Sequence, residues 1–328
     1  MTNQDAPIYI VCNADNRTGL GHLLRCLSLA KELKILQKGI QLVGHFSQTA
    51  IEFIESQNMA YQQSNTLEIA QILKSLPSNA QIVLDSYDYQ ASDLIASQKT
   101  ILIDDFCRLS HYPVQGVINF TINATQYDYK KKGAKAQALG LDYFLPHPTL
   151  KNACKAFNPT PEKLLILIGS GDPTHLVTKL IEALNSVEYC FKIRVLTANS
   201  IKVHTKHQLE IYPLQRNINL FYQWADMLIT SGGLAKYEAA FVHKPAVVFS
   251  QTVGEQVETL DFAKAALCFD FGRAQAFDGT VFADNFTRLL HDVKTRRLAY
   301  KHSQKMFKED SAGRAAQFVQ TCLTRPGC

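Results

Sequence analysis

Ile8-Tyr9-Ile10-Val11, then Cys12-Asn13-Ala14-Asp15, then Thr18-Gly19-Leu20-Gly21-His22-Leu23-Leu24-Arg25 is the stretch that decides the fold. A short β-branched run closes on polar residues, two glycines turn the chain, and an amphipathic helical pattern runs from Gly21 to Gln37. Strand, glycine turn and helix in that order open a βαβ unit. The pattern continues through Ile40 to Phe46, Ile82-Val83-Leu84 and Thr100 to Ile103. It restarts at Leu164-Leu165-Ile166-Leu167-Ile168 and goes on through Phe191 to Leu196, Asp226-Met227-Leu228-Ile229 and Ala246-Val247-Val248-Phe249. Pro146, Pro148, Pro159 and Pro161 interrupt it between the two series, as a linker does. The reading is an α/β protein of two Rossmann-like, doubly wound parallel-sheet domains, 1–147 and 148–328, facing an interdomain cleft. The last helix is a candidate to pack back on the first domain. In such domains ligands bind at the carboxyl ends of the strands, so the chemistry is to be sought there.

Length and composition agree with this. At roughly 150 residues per domain, 328 residues make about two domains. With 46% hydrophobic and 19% charged residues the chain is of ordinary globular composition. The net charge of +5 is mild, and Lys130-Lys131-Lys132 is its one dense basic cluster, so nucleic acid is not an expected partner. No apolar run reaches the ~18 residues of a membrane span and Met1 to Pro7 is polar, so no integral membrane segment and a cytoplasmic location are expected. The 8 cysteines include no C-x-x-C pair, which speaks for reduced thiols rather than a zinc knuckle or redox motif.

At the first turn, Gly19 and Gly21 let backbone amides approach an anion at the helix N-terminus. His22 opens that helix, where the dipole favours a neutral imidazole able to accept a proton or orient a water; a helix-capping histidine is the plainer alternative. Asn13 and Asp15 end the strand before it. Arg25, one turn further on, reads on its own as a surface ion pair. Later strands end in Asp85-Ser86-Tyr87 and Asp104-Asp105, carboxylates that could gather around His22, although Asp105 alone reads as a turn residue. In the second half Gly169-Ser170-Gly171-Asp172-Pro173 is another glycine turn before a helix. Thr230-Ser231-Gly232-Gly233 lies between a strand and a helix, so the amides of Gly232 to Leu234 could hold a diphosphate and Glu238 could accept from ribose hydroxyls. Its plain alternative is a solvated helix glutamate. His204 and His207 have no third ligand nearby and read as surface histidines. No dinucleotide fingerprint, Walker loop or G-x-S-x-G is present.

Gly19-Leu20-Gly21-His22-Leu23-Leu24-Arg25-Cys26-Leu27 and Ser231-Gly232-Gly233 with Glu238 resemble GT-B-fold nucleotide-sugar proteins. The second segment is similar to the donor site of MurG-like glycosyltransferases. The first is similar to the PseG/SpsG group, best known for hydrolysing UDP-2,4-diacetamido-2,4,6-trideoxy-β-L-altropyranose in pseudaminic acid biosynthesis. Asp85 to Tyr87, Ile103 to Asp105, Gly140 to Tyr143, Gly169 to Pro173 and Asp310 to Arg314 extend the likeness along nearly the whole chain. Asn13, Ser86, the segment from His147 to Leu150 and Glu255 depart from it, standing where arginine, histidine, an Arg-Pro-Glu-Phe-like run and asparagine are usual.

The resemblance implies a GT-B-like fold and a UDP-sugar substrate, with no cofactor and no metal. It makes His22 the residue that positions a water for attack on the anomeric carbon, with Asp15, Tyr87 and Glu255 as the other catalytic candidates. The implied substrate-binding set is Asn13, Gly19, Gly21, Arg25, Asp105, Gly171, Ser231, Gly232, Gly233, Leu234, Glu238 and Gln256. A UDP-sugar hydrolase is the first expectation. An inverting glycosyltransferase for surface polysaccharide or glycoconjugate, with a sugar or lipid-linked acceptor, is the second, and a nucleotide-sugar binder without turnover the third.

Overall fold

The structure, a computed structural model, describes residues 7–15, 17–36, 39–150, 156–169, 172 and 174–324. The chain forms two compact units: the residues up to Pro148 together with the segment from Asp310 onward, and Thr149 to Glu309.

In the first unit β1 (Ile8–Val11), β2 (Ile40–Gly44), β3 (Ala60–Gln63), β4 (Gln81–Asp85), β5 (Lys99–Ile103), β6 (Gly116–Asn119) and β7 (Gln137–Leu139) form one sheet, in the order β3-β2-β1-β4-β5-β6-β7. Every pairing in it is parallel. Parallel strands need crossovers, and α1 (Gly21–Ile35), α2 (Gln48–Ser56) and α3 (Ile69–Ser75) supply the early ones. α1 buries Leu23, Cys26, Leu27, Ala30 and Leu33, the i, i+3, i+4 spacing of a core-facing stripe. Val11, Ile82, Leu84 and Leu102 from the central strands bury against Ile69, Ile72 and Leu73 of α3. Each such side chain contributes about 1.5–3 kcal/mol of burial. The segment from Asp310 carries one helix, Ser311–Thr324, which packs on α1 and β5.

In the second unit β8 (Lys163–Leu167), β9 (Lys192–Leu196), β10 (Gln208–Tyr212), β11 (Met227–Ser231), β12 (Ala246–Ser250) and β13 (Phe269–Arg273) take the order β10-β9-β8-β11-β12-β13, again all parallel. The helices are α4 (Leu176–Leu184), α5 (Asn219–Trp224), α6 (Leu234–Phe241), α7 (Val253–Lys264), α8 (Gly279–His291) and α9 (Val293–Met306), so the helix at Ser311–Thr324 is α10. Leu164, Ile166, Ile229 and Val247 pack with Leu180 and Ile181 of α4 and Phe282 and Phe286 of α8. Both sheets reverse direction of build at their first strand, between β1 and β4 and between β8 and β11, which leaves a crevice at the carboxyl ends of those strands.

Candidate functional site

In the first unit the crevice is built by two turns. After β1 the Asp15 carboxylate accepts from the Arg17 and Thr18 amides at 2.7 and 2.8 Å, and the Thr18 hydroxyl accepts from the Asp15 amide at 3.0 Å. Burial alone would raise the Asp15 carboxyl, but these bonds, with the His45 charge, hold it below its ordinary value. The turn closes on Gly19 at φ 69, a left-handed conformation suited to glycine. It then enters α1, whose N-cap Leu20 offers no side-chain cap and whose first turn holds no acid. Asn13 is buried, donating to the Leu67 carbonyl at 2.8 Å and accepting from the His45 amide at 2.9 Å. That amide side chain ties together the loops after β1, β2 and β3.

One turn into α1, His22 and Arg25 meet the acids at the ends of β4 and β5. His22 Nδ1 lies 2.7 Å from Asp85 Oδ1. Arg25 grips Asp85 through Nε at 2.5 Å and Nη2 at 2.6 Å, and reaches Asp105 Oδ2 through Nη1 at 2.8 Å. The Tyr87 hydroxyl donates to the same Asp105 oxygen, and the Tyr87 ring meets the His22 ring edge-on at 4.6 Å. The surface ion pair expected for Arg25 is therefore a buried one: Arg25 is 3% exposed and Asp85 0%. Because α1 turns this face inward, the guanidinium is committed to two carboxylates rather than offered to a ligand. Nor is Asp105 a turn residue. Its neighbour Asp104 takes that part, accepting from the Phe106 and Cys107 amides and the Tyr112 hydroxyl.

Electrostatics follow from the burial. Desolvation works against the Asp85 carboxylate, but Arg25 and then His22 outweigh it and hold Asp85 well below the usual carboxylate range. Burial and then the Asp105 charge push the Tyr87 phenol up. An ionised carboxylate only accepts, so it takes a proton from His22 Nδ1, which in the neutral imidazole leaves the Nε2 lone pair as a base. Beside this pair is a cavity of about 260 Å³, lined by His22, Asp85, Ser86, Tyr87, Asn13 and Arg17 among others. The structure thus brings together His22, Arg25, Tyr87 and Asp105, with Asn13 in the cavity wall and Asp15, Gly19 and Gly21 in the turn that starts α1. Asp85, which the sequence offers only as one strand-end acid among several, is the centre of the cluster.

In the second unit β11 ends in buried Ser231, and the Thr230 hydroxyl holds the Leu167 carbonyl of β8 at 2.7 Å. At Gly232 a Cβ would stand 2.9 Å from Glu255 Cβ and 3.0 Å from Ser250 Oγ, so only glycine fits this turn. Gly233 is the N-cap of α6 with no side-chain cap, and Leu234 is its first residue. Glu238 is not a solvated helix glutamate. It is 6% exposed and accepts from the Tyr222 hydroxyl at 3.0 Å, because α6 faces its second turn into the unit. Glu255 and Gln256 lie in the first turn of α7. Glu255 Oε2 accepts from the Gln251 amide at 2.7 Å, and Gln256 Nε2 donates to Asp270 at 2.8 Å while its Oε1 is buried without a partner. Gly171, with Ser170 and Pro173, lies outside the described residues; Asp172 between them caps α4 through the Leu176 and Val177 amides.

His207, expected at the surface, is buried and accepts from the Phe191 amide, so it is a structural histidine. In the Lys130 to Lys132 cluster, Lys132 folds back onto the Cys107 and Leu109 carbonyls. Among the described residues no group of three or more His, Cys, Asp or Glu is placed to hold a metal, and no helix is long and apolar enough to cross a membrane.

Comparison with known proteins places the fold. The chain superimposes on Acinetobacter baumannii MurG with a TM-score of 0.66 at 15% identity, covering 96% of this chain and 99% of that one. For Arabidopsis thaliana UGT89C1, solved with quercetin, the TM-score is 0.70 at 10% identity over 97% and 100% of the two chains. The fold is that of the GT-B glycosyltransferases. In sequence, the chain is 22% identical over 174 residues to the Bacillus subtilis spore coat polysaccharide biosynthesis protein SpsG, covering 49% of this chain and 51% of that protein. It is 25% identical over 270 residues to an uncharacterized protein of Methanocaldococcus jannaschii, covering 74% of this chain and 55% of that protein. The chain spans about half the length of these curated relatives. No family model matches it.

Proposed function

We propose that the chain is a nucleotide-sugar hydrolase, releasing UDP from a UDP-2,4-diacetamido-2,4,6-trideoxyhexose of the pseudaminic acid type, in the cytoplasm. The observation that carries this reading is the His22–Asp85 pair at 2.7 Å beside a cavity at the strand ends. His22 Nε2 takes a proton from water as its oxygen bonds to the anomeric carbon. The anomeric carbon–oxygen bond breaks, its electron pair leaving with UDP. Asp85 stabilises the imidazolium formed, and Arg25 fixes Asp85. Asp105 and Tyr87 complete the cluster that holds these groups. The amides from Ser231 to Leu234 meet the negative charge that grows on the diphosphate, and Glu238 receives the ribose hydroxyls. Asn13, Glu255 and Gln256 differ in chemistry from the usual pattern or lie beside a residue that does, and we assign them to selection of the sugar.

A second reading, inverting transfer to a hydroxyl acceptor by the same base, is favoured by the structural neighbours, among them MurG and a protein solved with quercetin. The two differ in what His22 deprotonates. Incubation with the UDP-amino sugar and no acceptor separates them: catalytic release of UDP and free sugar supports hydrolysis, and release only on adding an acceptor supports transfer.

A further inference from the structure

Lys236 is the third residue of α6 and is 0% exposed. A cation in the first turn of a helix opposes the helix dipole, and an ammonium stripped of water needs strong partners. The partners of its Nζ are the Gly232 carbonyl and Glu258 Oε2, the latter at 2.7 Å. Glu258, on α7, takes the Tyr237 hydroxyl on its other oxygen at 2.5 Å. The rings of Tyr237 and Phe262 lie 4.9 and 5.8 Å from Nζ.

This clamp fixes one peptide group in particular. The Gly232 carbonyl and the Gly233 amide belong to the same trans peptide, so they point in opposite directions. With the carbonyl drawn onto Lys236, the Gly233 N–H is turned away from the lysine at the uncapped start of α6. The turn itself excludes a side chain at Gly232. Backbone of such conformational freedom must be held from elsewhere, and Lys236 holds it.

We propose that Lys236 is a positioning residue that aims the Gly233 amide at a diphosphate and places a buried positive charge behind it, without touching the ligand. The inference rests on the reading of Ser231 to Leu234 as the diphosphate cradle. It is tested by titrating the full chain and its Lys236→Met variant with UDP by calorimetry and with uridine by NMR. Uridine has no phosphate, so Lys236→Met should weaken UDP about 10- to 100-fold, the range for one hydrogen bond to a charged group, and leave uridine unchanged. Equal weakening of both ligands, or of neither, overturns the proposal, because a lysine that only supports the fold does not distinguish them. If the unaltered chain binds UDP no better than uridine, the cradle reading fails before the lysine is at issue. Should Lys236→Met not fold, Lys236→Gln, which keeps a donor but removes the charge, must show the same selective loss.

Discussion

Asp85→Asn tests the candidate base without changing its shape. The carboxylate accepts from His22 Nδ1 and Arg25 Nη2 on Oδ1, and from Arg25 Nε and the Cys26 thiol on Oδ2, the last at 3.6 Å. An amide must turn its NH2 toward an Arg25 donor in either orientation. On the Oδ2 side it meets only the weak Cys26 sulfur acceptor, whereas on the His22 side it gains a full one, because the imidazole can move its proton to Nε2. The variant should therefore hold His22 in the wrong tautomer. The same change in Ser-His-Asp hydrolases costs roughly 10⁴ in kcat, and general-base catalysis is worth about 10²–10⁴, so we expect a loss of about 10³, or about 4 kcal/mol. Breaking a buried ion pair costs about 3–5 kcal/mol, and Asp105 still faces Arg25 at 2.8 Å, so the stability loss should be about 3 kcal/mol. At about 2–4 °C per kcal/mol that is a melting point roughly 6–12 °C lower. Asp85 is held below its ordinary value, so its contribution is complete above that value and is lost as pH falls. The variant should lack this part of the acid dependence. Nitrogen NMR of His22 reads the tautomer, and UDP release from the UDP-amino sugar reads turnover. A folded variant with Nδ1–H retained and turnover within threefold of the unaltered chain would mean that Asp85 does not set the His22 tautomer for catalysis.

His22→Ala should abolish UDP release while leaving UDP affinity within about twofold, since it removes a group acting mainly in the transition state; wild-type turnover would remove His22 from the mechanism. Glu238→Ala should weaken UDP by about 10-fold or more in calorimetry, the scale of one charge-assisted hydrogen bond, and undiminished affinity would take Glu238 off the ribose. His147 is 3% exposed, and burial, then the Lys31 charge, push its imidazole down from 6.5 to about 3. The unfolded chain takes up this proton below about 6.5 and the folded chain does not until about 3, so stability falls with pH across that interval. Between pH 7 and pH 5 the loss is about 2 kcal/mol. Urea unfolding of His147→Gln at the two pH values should show a loss smaller by that amount, and equal losses in both proteins would mean that His147 is not the group responsible.

Legibility in the sequence follows burial only in part: all four residues of β6 are buried, yet Val117-Ile118 between Gly116 and Asn119 is too short an apolar run to read as a strand. The central strands β1, β4, β5, β8, β11 and β12 are apolar runs that read as strands directly, because both their faces are covered. The edges β3, β10 and β13 are not legible as strands. Ala60-Tyr61-Gln62-Gln63 carries no alternation, and Gln208 to Tyr212 alternates polar and apolar residues over a single short stretch that is largely exposed. β7, with three residues, is too short to show any period. His22 and the Gly232 turn were legible because each sits where a strand gives way to a helix. Arg25 was not, since whether it faces water or two acids depends on β4 and β5 lying on that side of β1, an ordering no local pattern encodes. Lys236 was missed for a similar reason: its partners Gly232 and Glu258 become neighbours only when α6 and α7 are in place.

In the proposed reaction water is the nucleophile and His22, held by Asp85, its base. Purified chain given UDP-2,4-diacetamido-2,4,6-trideoxy-β-L-altropyranose with no acceptor, and followed by NMR, should yield equimolar UDP and reducing sugar at a catalytic rate. Binding of the substrate with no release over hours, relieved only when a hydroxyl acceptor is added, would replace hydrolysis by transfer.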